Sequence, residues 1–218
     1  MKSEDIISVL ICVHSQDTQH DYMFREALSS LADQYYKNFY TVVVLDECWR
    51  HTAKVAYDFS DLLNIFIFKR PKKEGLAAAK NFGIDRCPGD WIAYLDADDL
   101  WLPCKLDVQR EYMLNHPAVD FCFTNAYDLI DDKMVPNCFS ILDYRTHEQI
   151  REALPQQNVL CHGSAVIRRM VLYSLDGYRN VLGREDWDLW LRAANAGWNF
   201  YKIPERLYIS RLGTSVAR

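Results

Sequence analysis

An α/β fold built on a mostly parallel sheet is predicted by three observations. Short apolar runs rich in β-branched residues alternate with helix-periodic segments four times within the first hundred residues. Each run is too short for a typical buried helix. Two of the runs stop at an aspartate, Asp46 and Asp96. Such alternation implies parallel strands with helices on both faces, and in such sheets ligands bind beyond the carboxyl ends of the strands.

Residues 6–13 (IISVLICV) are continuously apolar, as expected of a strand buried on both faces. Residues 21–36 place Phe24, Leu28, Leu31 and Tyr35 at helical spacing, and Asn38 breaks the pattern. Residues 40–45 (YTVVVL) predict a second buried strand, running into Asp46. A helix over 54–63, a strand over 64–68 (NIFIF) and a helix over 75–85 opening on Gly75 follow. Residues 91–95 (WIAYL) predict the fourth strand, before Asp96. The second half is less regular: a helix over 103–115, a strand over 118–125, a strand over 164–167 and an amphipathic helix over 184–196. Residues 127–160 are mixed and polar, with Asp131, Asp132, Pro136 and Pro155, and are expected to form a variable, substrate-facing insertion. With no repeat, low-complexity tract or linker, one domain over 1–218 is the simplest organisation.

The composition excludes several classes. The 218 residues (25.5 kDa) are 50% hydrophobic and 25% charged, which is globular and not disordered usage. The net charge of -5 and pI near 5.7 argue against a general nucleic-acid binder. Seven cysteines, odd in number and without a CxxC pair, read as free thiols in a reducing cytosol. The start MKSEDIISVLICV carries acids and soon becomes a strand-like run, so no signal peptide is expected there. No apolar stretch nears the roughly 18 residues of a spanning helix. The expectation is a cytoplasmic protein, soluble or peripheral at the inner face of the membrane, and a homodimer is compatible with it.

Asp96, Asp98 and Asp99 fall within four positions directly after the fourth strand, in GDWIAYLDADDLWLP. Like charges packed so closely need a neutraliser. Mg²⁺ or Mn²⁺ suits hard carboxylate oxygens and keeps phosphate oxygens in its shell. The plainer alternative is a solvated acidic turn. Glu185 and Asp186 open the last predicted helix. Acids are favoured there by the helix dipole alone, but a helix start is also a rigid mount for a general base.

The stretch LDADDLWLPCKLDVQREYMLNHP resembles the GT-A glycosyltransferases, specifically the family-2 inverting enzymes, which typically carry a strand ending in LDxDD, then an apolar residue, proline and a helix. The resemblance extends through ISVLICVHS, ALSSLADQYYKNFYTVVVLDE, EGLAAAKNFGID, GSAVIRRMVLYSLDGYRN and GREDWDLWLRAANAG, from about residue 6 to residue 216, and is weakest over 127–160. It implies the GT-A, Rossmann-like nucleotide-diphospho-sugar transferase fold, with a nucleotide-binding half (1–100) and an acceptor-binding and catalytic half (101–218). The implied reaction moves a sugar from a nucleotide-diphosphate sugar, UDP-sugars first among them, to a hydroxyl of a glycan or lipid-linked saccharide, as in polysaccharide biosynthesis of the cell envelope. Inversion is implied by the family and not by any spacing.

The resemblance places Cys12, Val13, His14, Asp46, Lys80, Asn81, Asp96 and Ala97 against the nucleotide. Asp98, supported by Asp96, would hold Mn²⁺ or Mg²⁺, and Asp99 would orient the loop. Asp186 would be the general base, with Glu185 beside it, and Trp187, His162 and Gly163 would face sugar or acceptor. Trp49 would cover the base or sit in a surface loop, and Trp190 is expected in the core. Lys69, Arg70, Lys72 and Lys73 read as a solvated loop.

The sequence departs from the pattern at Cys12, Ser15 and Lys80, at Lys73 where asparagine is common, and at Leu212 and Gly213 where a histidine is usual. The last departure leaves the third metal ligand unidentified and motivates a second reading, a non-catalytic GT-A nucleotide-sugar-binding accessory protein. A nucleotidyltransferase ranks last, because HSQDTQHD after the first strand lacks the glycines of a phosphate loop.

Overall fold

The computed structural model describes residues 6–15, 17–48, 50–70, 74–181 and 183–211. In chain order the elements are β1 (Ile7–Val13), α1 (Thr18–Ala32), β2 (Phe39–Asp46), α2 (Arg50–Tyr57), β3 (Ile65–Arg70), α3 (Leu76–Ile84), β4 (Trp91–Tyr94), β5 (Leu100–Trp101), α4 (Lys105–Asn115), β6 (Phe121–Ile130), β7 (Lys133–Pro136), α5 (Cys138–Ile141) and α6 (His147–Ala153). A short 3-10 turn (His162–Ser164), β8 (Val166–Arg168), α7 (Arg169–Ser174), α8 (Glu185–Asn195) and β9 (Phe200–Arg211) complete them.

The four early strands form where the apolar runs predict them. Side chains alternate across a strand, so β1 sends Ile7, Val9, Ile11 and Val13 to one face, against Phe24, Leu28 and Leu31 of α1. Leu10, with Val42 and Val44 of β2, faces Ala77 and Ala79 of α3 on the other. Helix α1 starts earlier than its apolar periodicity, because the Asp17 side chain caps it by accepting from the His20 N–H at 2.8 Å. It also ends earlier, at Ala32. Tyr35, read as part of its apolar face, lies beyond the helix and is 70% exposed.

One nine-stranded sheet runs in the order β3-β2-β1-β4-β8-β6-β9-β5, with β7 paired to β6. Strand β1 pairs in parallel with β2 and with β4, and β2 with β3. This is the expected α/β sheet. Its second part is mixed: β8 runs antiparallel to β4 and β6, whereas β6 and β9 are parallel.

Residues 127–160 carry regular structure that their composition hides. They finish β6, form the β6–β7 hairpin and two short helices. A capping box between Thr146 and Gln149 starts α6. Lys202 of β9 is buried and donates from Nζ to the Phe139 and Leu142 carbonyls at 2.7 and 2.8 Å, which pins α5 to the sheet. All seven cysteines are free, and among the described residues no helix is long and apolar enough to cross a membrane.

Candidate active site

Strand order reverses at β1. The chain moves outward to β2 and β3, then returns to β4 on the other side. The crevice at such a switch point is where open α/β sheets bind ligands. Parallel register puts the ends of β2, β1 and β4 side by side, at the roughly 4.8 Å spacing of neighbouring strands. Those ends carry Asp46, the Cys12–His14 segment and Asp96.

Asp46 is buried and its Oδ1 accepts from Arg70 Nη1 at 3.1 Å. Arg70 also donates to Glu74 at 2.5 Å. The reading of Arg70 as solvated is thus corrected: it closes β3 against β2, and its charge goes to Asp46. His14 donates from Nδ1 to the Asp46 carbonyl at 2.8 Å, and the Cys48 thiol donates to the Val13 carbonyl at 2.9 Å. The Val13 side chain points into the core, so only its backbone lies at the strand end. Burial pushes the Cys12 thiol up to about 12, partly offset by Lys80, so it stays protonated.

Asp96, Ala97 and Asp98 are half-buried and Asp99 is buried. Burial raises the Asp96 carboxyl above its ordinary range, opposed by Lys80 and reinforced by Asp98. Burial, with Asp96 and Asp98 beside it, raises Asp99 further. The loop is tied to β9. The Tyr208 hydroxyl reaches Asp96 Oδ2 at 3.0 Å and also Asp99 Oδ2. The Arg211 backbone N–H donates to Asp99 Oδ1 at 2.6 Å, and its guanidinium donates to the Asp98 carbonyl at 3.1 Å and to Glu26 at 2.8 Å.

Helix α8 brings the second pair of acids. The carboxylate of Asp186, in its first turn, accepts from the Trp187 N–H at 2.7 Å and from Asn158 Nδ2 at 3.1 Å. Burial raises its carboxyl above the ordinary range, and Lys80 partly offsets this. Glu185 pairs with Lys80 at 3.0 Å, and the same ammonium lies 5.0 Å from the Tyr178 ring centroid. Lys80 is therefore the cation common to Asp96, Asp186 and Glu185, which come from separate elements. Asp96 and Asp186 also act on one another electrostatically.

The remaining predicted residues serve neighbours. Both ends of the Asn81 amide are engaged by the Tyr178 backbone at 2.8 Å. His162 bonds the Tyr178 hydroxyl at 3.0 Å, and burial keeps it neutral by driving its pKa well down. Gly163 lies against Tyr208, and its carbonyl accepts from Trp101 Nε1 at 3.3 Å. Trp187 donates from Nε1 to the Leu154 carbonyl at 2.8 Å, and Trp190 is fully buried in the core. Trp49, Lys72, Lys73, Leu212 and Gly213 lie outside the described residues. Sequence reasoning missed Tyr208, Asn158, Tyr178 and the pairing of Arg70. Each acts across a long separation that no local pattern encodes.

Among the described residues no group of three or more His, Cys, Asp or Glu side chains gathers as a metal cage. The donor chemistry nonetheless fits Mg²⁺ or Mn²⁺. Asp96 and Asp98 offer hard oxygens from one loop, and such ions characteristically take one or two carboxylates plus phosphate and water oxygens.

A parallel sheet with acids gathered at its switch point defines a Rossmann-like α/β protein. Residues 8–175 match Glycosyl transferase family 2, and the chain belongs to that family. The α8 acids follow the matched stretch. The glycosyltransferase MJ1057 of Methanocaldococcus jannaschii is 26% identical over 220 residues, covering 95% of this chain and 74% of that protein. The O-antigen biosynthesis glycosyltransferase WbnJ of Escherichia coli is 28% identical, covering 88% of this chain and 72% of that protein. Among solved structures, S. aureus TarS 1-349 in complex with UDP-GlcNAc superposes with a TM-score of 0.79 at 16% identity, over 97% of this chain and 60% of that one. The mannosyltransferase PcManGT of Pyrobaculum calidifontis, in complex with GDP-Man and Mn²⁺, gives 0.74 at 17% identity, over 97% of this chain and 58% of that one. The fold is the expected GT-A fold, and the chain spans less than two thirds of these solved chains.

Proposed function

We propose that the chain is an inverting glycosyltransferase. It moves a sugar from a nucleotide-diphosphate sugar, UDP-sugars first, to a hydroxyl of a glycan or lipid-linked saccharide. The observation that carries the reading is the meeting of three elements at the switch point: Lys80 of α3 pairs at 3.0 Å with Glu185 of α8, next to Asp186, and its charge also acts on Asp96 just past β4. The nucleotide-sugar complexes of TarS and PcManGT, and the O-antigen role for which WbnJ is named, support the donor class and a cell-envelope polysaccharide as product.

Asp186 takes the proton of the acceptor hydroxyl. The hydroxyl oxygen forms its bond to the anomeric carbon as the bond to the diphosphate breaks, and the nucleoside diphosphate leaves with the electron pair. One displacement inverts the centre. Asn158 and the Trp187 N–H fix which way the carboxylate faces. Its burial raises its proton affinity toward that of an efficient base. Glu185, fixed by Lys80, borders the acceptor side, and Lys80 supplies positive charge between the acid pairs. Asp46 and the backbone at Cys12–His14 face the nucleoside. Asp98 and Asp96 would hold Mn²⁺ or Mg²⁺, which supplies Lewis-acid stabilisation of charge on the diphosphate when bound.

The test is nucleotide release from a panel of UDP-, GDP- and dTDP-sugars with Mn²⁺ and saccharide acceptors. Wild type is expected to release nucleotide, and Asp186→Asn to bind it without turnover. Binding without turnover by the wild type would instead support the accessory-protein reading.

A further inference from the structure

We propose that Tyr208 is a positioning residue, whose hydroxyl locks the Asp96–Asp99 loop onto β9 and so sets the carboxylates that meet the metal-bound diphosphate. This rests on the proposed function. Three acids crowd a four-residue turn, which is closed by a backbone bond from the Asp99 N–H to the Asp96 carbonyl at 3.1 Å. Such a turn needs an external frame to hold its side chains in one arrangement. Strand β9 supplies it at three consecutive kinds of contact: the Tyr208 hydroxyl on Asp96 and Asp99, the Arg211 N–H on Asp99, and the Arg211 guanidinium on the Asp98 carbonyl. The pairing of β5 with β9 continues the clamp straight after the loop, with Trp101 opposite Tyr208 itself.

The hydroxyl is the informative atom. Tyr208 is 1% exposed, and a phenylalanine would fill the same core without carrying a polar group into it. A buried hydroxyl costs free energy unless it is bonded, and the partners of this one are the loop acids. Room for it is made deliberately. A Cβ at Gly163 would lie 2.1 Å from the Tyr208 hydroxyl and 2.2 Å from the ring carbon that bears it, so no other residue type leaves the ring in place. Trp101 ties the Gly163 carbonyl to the far side of the loop at 3.3 Å. The 3-10 turn, the acidic loop and β9 thus interlock around one oxygen atom. Residues that orient metal ligands typically change metal affinity about 10–100-fold when removed, and a preformed set of carboxylates avoids an ordering cost at binding.

The experiment uses the full chain and measures UDP affinity by calorimetry, with Mn²⁺ and in EDTA. Tyr208→Phe should weaken UDP binding about 10-fold in Mn²⁺, leave binding in EDTA unchanged, and melt near the wild-type temperature. Gly163→Ala should act in the same direction, because its methyl displaces the ring while touching neither metal nor nucleotide. Its affinity in EDTA reports whether the variant is folded. Equal Mn²⁺ dependence in wild type and both variants overturns the proposal while leaving the transferase reading intact. So does an equal loss in Mn²⁺ and EDTA, which would mean a general disturbance of the site. A wild type that binds none of UDP, GDP and dTDP in Mn²⁺ overturns the transferase reading and this proposal together; where it binds GDP or dTDP in place of UDP, the same comparison is made with that nucleotide.

Discussion

The two ends of the sheet present their acids by different means. In β1, β2 and β4 the backbone does it: parallel register sets Asp46 and Asp96 at neighbouring strand ends, behind residues buried on both faces. Around β6, β8 and β9 individual hydrogen bonds and ion pairs do it, most of them from side chains. Asn158 and the Trp187 N–H hold Asp186, Lys80 holds Glu185, and Tyr208 holds the acidic loop from across the sheet. A group placed by register tolerates changes in its neighbours. A group placed by side-chain ties is only as well placed as each tie, so the second region should be sensitive to substitutions of residues that never touch a substrate.

The largest effect is expected at Asp186. Asp186→Asn should lower turnover about 10³-fold, within the usual range for a general base. Stability should move the other way. Burial raises the carboxyl of Asp186, so the folded chain favours its protonated form. The stability this group contributes is full below its ordinary range, near pH 4, and is lost as pH rises through the raised value. Urea melts should therefore find Asp186→Asn more stable than wild type at about pH 7, and level with it near pH 3.

Next in size is Lys80→Met. It removes the cation 3.0 Å from Glu185, and breaking a buried pair from one side costs about 3 kcal/mol or more. Glu185→Gln in the same chain should return most of that loss in a urea melt. If the double variant stays as unstable as the single, the lysine matters for packing against Tyr178 and the comparison fails at this tie.

Asn158→Ala should reduce kcat/KM about 10-fold by removing a hydrogen bond to a charged group. The direction of its pH effect is fixed. Asn158 favours the ionised carboxylate, so its loss raises Asp186 further, and the acid limb of the pH–rate profile should move to higher pH. An unmoved limb would assign that limb to another group.

The same contrast explains what could be read from the sequence. β1, β2 and β4 announce themselves because strands buried on both faces are continuous apolar words, and the acids after them stand out against that background. β9, twelve residues long, does not. Its apolar residues are interrupted by Pro204 and Glu205. The β6–β9 register slips at Asn125, whose amide donates to the Pro204 carbonyl at 2.9 Å, and proline is tolerated in a strand at such an irregularity. Tyr208 reads as an ordinary core aromatic because its partners lie more than a hundred residues away. Arg70 reads as one of several solvated cations because only the pairing of β2 with β3 brings it to Asp46.

The smallest expected effect separates a tie from the element that carries it. Thr146 caps α6 through a reciprocal pair with Gln149, and Thr146→Ala should cost about 1 kcal/mol of stability. Just beyond the helix, the Leu154 carbonyl holds the Trp187 indole, and Asn158 follows. If Asp186 is set by individual contacts, fraying the far end of α6 leaves turnover within about twofold of wild type, since helix-end effects fade within a turn or so. A loss of turnover as large as that of Asn158→Ala, with the same shift of the acid limb, would mean that the whole segment from Thr146 to Asn158 moves as one body to place the base. The second region would then resemble the first, with an element in place of a register doing the positioning.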